Sequence, residues 1–165
     1  MNRSRLPYRR NCEGYFLTKE GKILAKDTGK GYLVFPGGGI DKGEQADNAV
    51  VRETFEETGA VIELPIKKLG VVRFIWDKDW IKTEKQKRRF EEFKGEEMHF
   101  FFGTIKKFKE NKGQHEDAWN GEKLMSISKV VGIIEKSKPF SENIKVYREA
   151  QLRFLRQISE RYDLV

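Results

Sequence analysis

The stretch that most constrains this chain is FPGGGIDKGEQADNAVVRETFEETGA, residues 35–60. It joins a triple-glycine turn to a segment, 45–58, with helical spacing and Gly59 placed as its stop. Glu53, Glu56 and Glu57 stand at i, i+3 and i+4, so three carboxylates share one face of one turn. Like charges so spaced repel by about 0.2–0.5 kcal/mol per pair. Acids at a helix C-terminus also oppose its dipole, at about 0.3–1 kcal/mol each. On a helical wheel Ala46, Ala49 and Val50 fall on one face and the glutamates continue it, with Arg52 beside Glu56 able to offset part of the charge. An acidic surface stripe is the bland explanation. The glycines upstream, which permit close backbone approach to a ligand, and their fixed spacing from the glutamates argue for a built site.

The remaining chain predicts an α+β domain. Residues 13–18 and 23–27 read as strands around the turn at 19–21, Tyr32–Phe35 as a third strand stopped by Pro36, 60–76 as one long strand or two, and 97–106 as another. Residues 126–135 and 142–162 carry helical spacing. Strands first and helices last suit a layered domain, and 165 residues suffice for one such domain with its own core. Residues 77–96, DKDWIKTEKQKRRFEEFKGE, form a charged excursion, partly helical or mobile, between two strands. A single cysteine, Cys12, excludes an internal disulfide and a cysteine-built metal site. The apolar runs are too short to cross a bilayer and the basic N-terminus lacks the apolar stretch of a secretory signal, so a cytoplasmic location is the expectation. A net charge of +7 suits a protein that handles nucleic acid or small polyanions.

Gly38, five residues, Glu44, seven residues, then Arg52-Glu53-Thr54-Phe55-Glu56-Glu57-Thr58-Gly59-Ala60 resembles the signature of the Nudix hydrolases. Every fixed Gly, Glu and Arg of that signature is present, while Thr54 and Ala60 stand where bulky aliphatic residues are usual. The resemblance implies a mixed β-sheet sandwiched between helices (α/β/α) and a Mg²⁺ site, Mn²⁺ being an alternative. It implies hydrolysis of a nucleoside diphosphate linked to another group, releasing a nucleoside monophosphate. It makes Glu56 and Glu57 the principal metal ligands, with Glu53 either joining them or orienting the attacking water. A carbonyl of Gly37 or Gly38 completes the set, Arg52 holds Glu44 or Glu56 in place, and Glu44 stands behind the ligands. Mg²⁺ prefers such hard oxygen donors and bridges to substrate phosphates. A general base is expected from the loop GQHEDAWNGE, with Glu116 first and Asp117 in reserve; Glu97 and His99 are further groups that could reach the site.

The substrate is less determined. Neither the proline nor the tyrosine that some Nudix subfamilies carry beyond the signature is met at Ile75, Trp76 and Asp77. Gly38, Gly39, Arg10 and Trp76 are the expected substrate-binding residues, with Phe74 and Trp80 as further rings able to stack on a base. Arg9-Arg10 and the basic residues of 78–94 support an RNA 5′-end pyrophosphohydrolase as the alternative. A catalytically silent nucleotide- or RNA-binding domain is the alternative from another class.

Overall fold

The structure, a computed structural model, describes residues 2–110, 118–119 and 121–161. A 3₁₀ turn at Arg3–Arg5 leads into β1 (Tyr8–Leu17), followed by β2 (Lys22–Leu24), β3 (Lys26–Asp27), β4 (Leu33–Val34) and β5 (Gly37–Gly39). Then come α1 (Ala46–Thr58), β6 (Ala60–Ile62), β7 (Lys67–Ile75), α2 (Glu84–Glu92) and β8 (Gly95–Phe108). β9 (Leu124–Ser126), α3 (Ile127–Lys136) and α4 (Glu142–Arg161) complete the order.

The sheet is mixed. β1 and β8 run parallel through its centre, from Tyr8 opposite Gly95 to Leu17 opposite Thr104. β2 and β5 flank β1, β6 and β7 flank the two halves of β8, and β9 closes on β2, all antiparallel. Alternation along β1 sends Tyr15 and Leu17 to one face and Cys12 and Phe16 to the other. The first face packs against Val130 and Ile134 of α3 and Ala150, Phe154, Leu155 and Ile158 of α4. The second packs against Ala49 and Val50 of α1. Helices therefore cover the sheet from both sides, as the α+β expectation has it.

The apolar run 60–76, read as one long strand or two, is two, and the glycines after Pro36, where the third strand is expected to stop, themselves form a strand, β5, along β1. Residues 77–94 hold a 3₁₀ turn at Lys78–Trp80 and the helix α2, which starts with a capping box in which Thr83 and Gln86 satisfy each other's backbone amides. This excursion is tied down: the Arg3 guanidinium donates to the carbonyls of Trp76 (3.0 Å), Phe90 (3.0 Å) and Phe93 (2.6 Å) and lies 3.3 Å from the Phe90 ring centre. Finally, the buried stripe of α1 runs Val50, Thr54, Thr58 rather than from Val50 to the glutamates. Both threonines survive burial because their hydroxyls donate to carbonyls one turn back, Thr54 to Val50 at 2.6 Å and Thr58 to Thr54 at 2.7 Å.

Among the described residues, no helix is long and apolar enough to cross a membrane.

Candidate active site

The site is built where α1 meets β5. Gly59, with φ of 78°, caps α1 in the left-handed conformation, and its amide donates to Phe55. At Gly37, β5 can lie against β1 only because the residue is glycine. A Cβ on Gly37 would stand 2.0 Å from the Cys12 carbonyl oxygen, and one on Gly38 would stand 2.8 Å from the Glu53 carboxyl carbon. The glycine loop and the first glutamate are therefore in direct juxtaposition.

Arg52 organises the acids. Its guanidinium donates twice to Glu44, at 2.9 and 3.0 Å, once to Glu53 at 3.0 Å and once to Glu56 at 3.3 Å; Asp41 lies 3.5 Å away. The paired fork raises the Arg52 pKa, chiefly through Glu44, and Arg52 in turn holds the Glu44 carboxyl below its ordinary range. Arg52 thus takes both of the partners expected for it, Glu44 and Glu56. Glu57 is oriented by the loop, its Oε1 accepting from the Gly37 amide at 2.9 Å. The Gly38 carbonyl accepts from the Cys12 thiol at 3.3 Å, and burial pushes that thiol up to about 12.

Among the described residues, no group of three or more His, Cys, Asp or Glu stands ready to hold a metal ion. The donors fit a divalent cation in kind: three carboxylates on one turn, facing a strand with no side chains. In this arrangement Arg52 occupies Glu53 and Glu56, and the Gly37 amide occupies Glu57. A cation entering here would therefore replace bonds that the acids already make.

Arg10, half-exposed, lies on the same face as Cys12, two residues before it, with its Nε 3.9 Å from Glu97. Gly39 pairs with Asn11, and Arg9 lies across it: the Arg9 Nη2 is 3.1 Å from where a Gly39 Cβ would be. Arg9 also sits 3.5 Å from Glu96, which accepts from Asn11 as well. Burial lowers the pKa of Arg9 and raises that of Glu96. Sequence reasoning chose Arg10 of the pair; the alternation of β1 sends the two arginines to opposite faces, and it is Arg9 that reaches the glycine strand.

Glu97 and His99 pair at 2.7 Å, and His99 is buried with Nδ1 lacking a partner among the described residues. Burial works to raise the Glu97 pKa, but hydrogen bonds from Arg73 and His99 outweigh it and hold it below the ordinary value. Trp76 is a correction. Its side chain is 2% exposed, stacked 3.7 Å from the Trp80 ring and packed in the α4-side core, so it offers no face to a nucleobase. Phe74 is buried in the same core. Glu116 and Asp117 lie outside the described residues. Trp119, three positions after Glu116, donates its amide to the Glu57 carbonyl at 2.9 Å, and Lys123 donates to Thr58 at 3.0 Å.

A buried acid that the sequence reading did not single out stands under α4. Glu13 accepts from Tyr15 at 2.7 Å, from Gln151 at 2.9 Å and from Tyr147. Its position in the alternating apolar pattern of β1 is the signal that marks it.

Comparison with known proteins agrees with this geometry. The NUDIX domain model matches residues 5–146. An RNA pyrophosphohydrolase of Actinobacillus pleuropneumoniae is 39% identical over 83 residues, 49% of this chain and 37% of that protein. One from Sphingopyxis alaskensis is 40% identical over 63 residues, 36% of this chain and 39% of that protein. The matches thus span less than two fifths of these relatives' own length. Among solved structures, a NUDIX hydrolase from Nitrosomonas europaea superposes with a TM-score of 0.57 at 15% identity, covering 87% of this chain and 88% of that one. A Bacillus subtilis pyrophosphohydrolase gives 0.55 at 17% identity, covering 96% and 87%. At such identity these two speak for the fold.

Proposed function

The chain belongs to the NUDIX family, and from that premise we propose that it is a Mg²⁺-dependent pyrophosphohydrolase that opens a phosphoanhydride at the 5′ end of a nucleotide. The observation that carries the proposal is the contact of the glycine strand with the glutamate turn, Gly38 against Glu53 and Gly37 against Glu57. It creates a surface on which carboxylates and bare backbone lie side by side, so that a diphosphate laid across it would meet both.

Glu53, Glu56 and Glu57 would hold the metal, with Gly37 or Gly38 supplying a carbonyl. The bound ion would neutralise the diphosphate and make water a stronger nucleophile. The chain's own residues do the positioning. Arg52 keeps Glu44, Glu53 and Glu56 in register. Gly38 and Gly39 let phosphate oxygens approach the main chain, and Arg9 and Arg10 supply positive charge on either face of β1. Phosphoryl transfer asks mainly for such placement and charge balance. Glu116 remains the proposed proton acceptor, because its near neighbour Trp119 is tied to Glu57.

Two substrate forms share this chemistry. A free nucleoside diphosphate derivative, yielding a nucleoside monophosphate, is the reading drawn from the signature. The 5′ end of RNA is favoured by the curated relatives, which are named RNA pyrophosphohydrolases, and by the cations around β1. Phosphate or pyrophosphate release is to be followed from a nucleotide panel and from 5′-triphosphorylated RNA, with Mg²⁺ and after chelation. Turnover that survives exhaustive chelation refutes the metal assignment. No turnover on any substrate favours a silent binding domain.

A further inference from the structure

Helix α1 covers only part of its side of the sheet. Beyond Cys12 the same face continues over the first halves of β1 and β8 and along β7, with Arg10, Arg73, Val71 and Ile75 exposed at its edges and Gly95, Glu97 and His99 largely buried between them. The registers place Arg10 beside Glu97, Arg73 opposite Glu97, Val71 opposite His99 and Ile75 opposite Gly95, with Tyr8 on the other side of Gly95. Val71 is 37% and Ile75 62% exposed, and the Arg73 side chain is 61% exposed. The reverse face of these same strands is buried core through Phe74, Met98 and Phe100. The opening is therefore one-sided and adjoins the glutamate turn.

Its chemistry is specific. Two cations stand near the Tyr8 ring, the Lys94 ammonium 4.6 Å and the Arg73 guanidinium 5.8 Å from its centre. Glu97 is the acid of the face, already bonded to Arg73 at 2.9 Å and to His99 at 2.7 Å. Arg10, Arg73 and Lys94 against Glu97 leave the face positive. A strand rise of about 3.4 Å per residue sets Arg10 roughly 7 Å and Tyr8 roughly 14 Å from Cys12, and Cys12 pairs with Gly38. The cations and the ring thus stand at increasing distance from the acids, along a straight path.

Resting on the RNA-end reading, we propose that this half-face, with its exposed edges, is a platform for single-stranded RNA. It seats the nucleotides that follow the 5′ end being hydrolysed. A base stacks on Tyr8, the apolar surface of Val71 and Ile75 lies beside it, and backbone phosphates meet Arg10, Arg73 and Lys94. Aromatic rings flanked by cations on an open sheet hold unpaired bases without demanding a sequence. A second copy of this chain fits less well, because a symmetric contact would bring the cations of each copy against their own kind.

The test uses a 5′-monophosphorylated oligoribonucleotide for binding, and 5′-triphosphorylated RNA and a free nucleoside triphosphate for turnover. Tyr8→Ala is expected to weaken RNA binding about tenfold or more, as loss of one base–aromatic stack does, while Tyr8→Phe keeps wild-type affinity. Arg73→Gln is expected to lower the slope of log affinity against log salt by about 0.7–0.9, the share of one phosphate contact. Free-nucleotide turnover stays within about twofold of wild type in all three variants. The platform is refuted if wild type does not bind the RNA, if Tyr8→Ala binds it equally well, or if free-nucleotide turnover falls in parallel. A dimer in sedimentation that Ile75→Asp dissolves also refutes it, by assigning the face to a second copy. RNA binding that depends on Tyr8, without removal of 5′ phosphates, overturns the RNA-end reading and leaves the platform standing.

Discussion

Replacing Arg52 by Met keeps much of the stem and removes the charge that holds the site together. Arg52 makes four hydrogen bonds to three carboxylates. Buried, each charge-assisted bond would be worth about 1.5–3 kcal/mol. The Arg52 side chain is 32% exposed, however, and Glu56 is 31% exposed, so values nearer those of exposed pairs apply, about 0.5 kcal/mol each. Four such bonds give about 2 kcal/mol, and unrelieved repulsion among the glutamates adds about 0.2–0.5 kcal/mol per pair. The expected loss at pH 7 is roughly 2–3 kcal/mol, or a fall in Tm of about 5–10 °C for a chain of this size. The sign of the pH dependence follows from Glu44, whose pKa is depressed in the folded protein. Its contribution is fully present above the unfolded carboxyl value of about 4.3 and is lost as pH falls through the lower folded value. The gap between wild type and Arg52→Met should therefore narrow between about pH 5 and pH 3. Urea unfolding at several pH values measures it. A gap of the same size at pH 3.5 and pH 7 would refute the electrostatic reasoning and leave stem packing as the role of Arg52.

Glu57→Gln should cut turnover by on the order of a hundredfold, yet leave Tm in chelator nearly unchanged, since an amide oxygen can still accept from Gly37; a loss of several degrees in chelator would make Glu57 structural. The Mg²⁺-induced rise in Tm should be smaller in that variant than in wild type, because ligand binding stabilises by mass action. Gly38→Ala should fold with a cost of less than about 1 kcal/mol, because the obstructed group is the flexible end of Glu53, but should lower turnover by about tenfold or more through displacement of that carboxylate; wild-type turnover would place Glu53 outside the reaction. Cys12, buried with its thiol pushed up to about 12, should resist alkylation at pH 8 in the folded protein and react promptly in denaturant; rapid labelling of the native chain would contradict that burial.

What the sequence made legible was what local spacing determines. The ends of α1 were readable because Gly59 is the residue that adopts a left-handed cap without penalty. The glutamate trio and its arginine were readable because helical periodicity places them side by side. Pairings at long range were not: β1 lies parallel to β8 across some 87 positions, and nothing in either strand names its partner. β5 escaped because glycines have no strand propensity, and the reason for glycine at Gly37, a Cβ that would collide with the Cys12 carbonyl, shows only once β1 is in place. Trp76 was misread for a related reason. Phe74, Ile75 and Trp76 are apolar on both faces of the alternation, so the pattern cannot say which face is core. The structure buries Phe74 and Trp76 and leaves Ile75 exposed. The start of α2 was not located either: residues 77–96 read only as a charged excursion, partly helical or mobile, and the capping box of Thr83 and Gln86 emerges from the structure.

The three acids on one turn of α1 are held in two ways: Arg52 takes Glu53 and Glu56, and the Gly37 amide takes Glu57. Both partners belong to the same loop–helix unit, so the repulsion is offset where it arises and the fold tolerates the turn without an ion. Arg52 also divides one charge among Glu44, Glu53 and Glu56, and the donor that the Gly37 amide offers Glu57 is neutral. A divalent cation brings twice the charge of Arg52 to the same oxygens. It should therefore compete successfully for Glu53 and Glu56, leaving Arg52 on Glu44, its closest partner. The stability of the empty site and its affinity for a cation are opposed through one residue. That is why Arg52→Met, while weakening the fold in chelator, should show a larger Mg²⁺-induced rise in Tm than wild type. A smaller rise would mean that Arg52 prepares the carboxylates for the ion more than it competes with it.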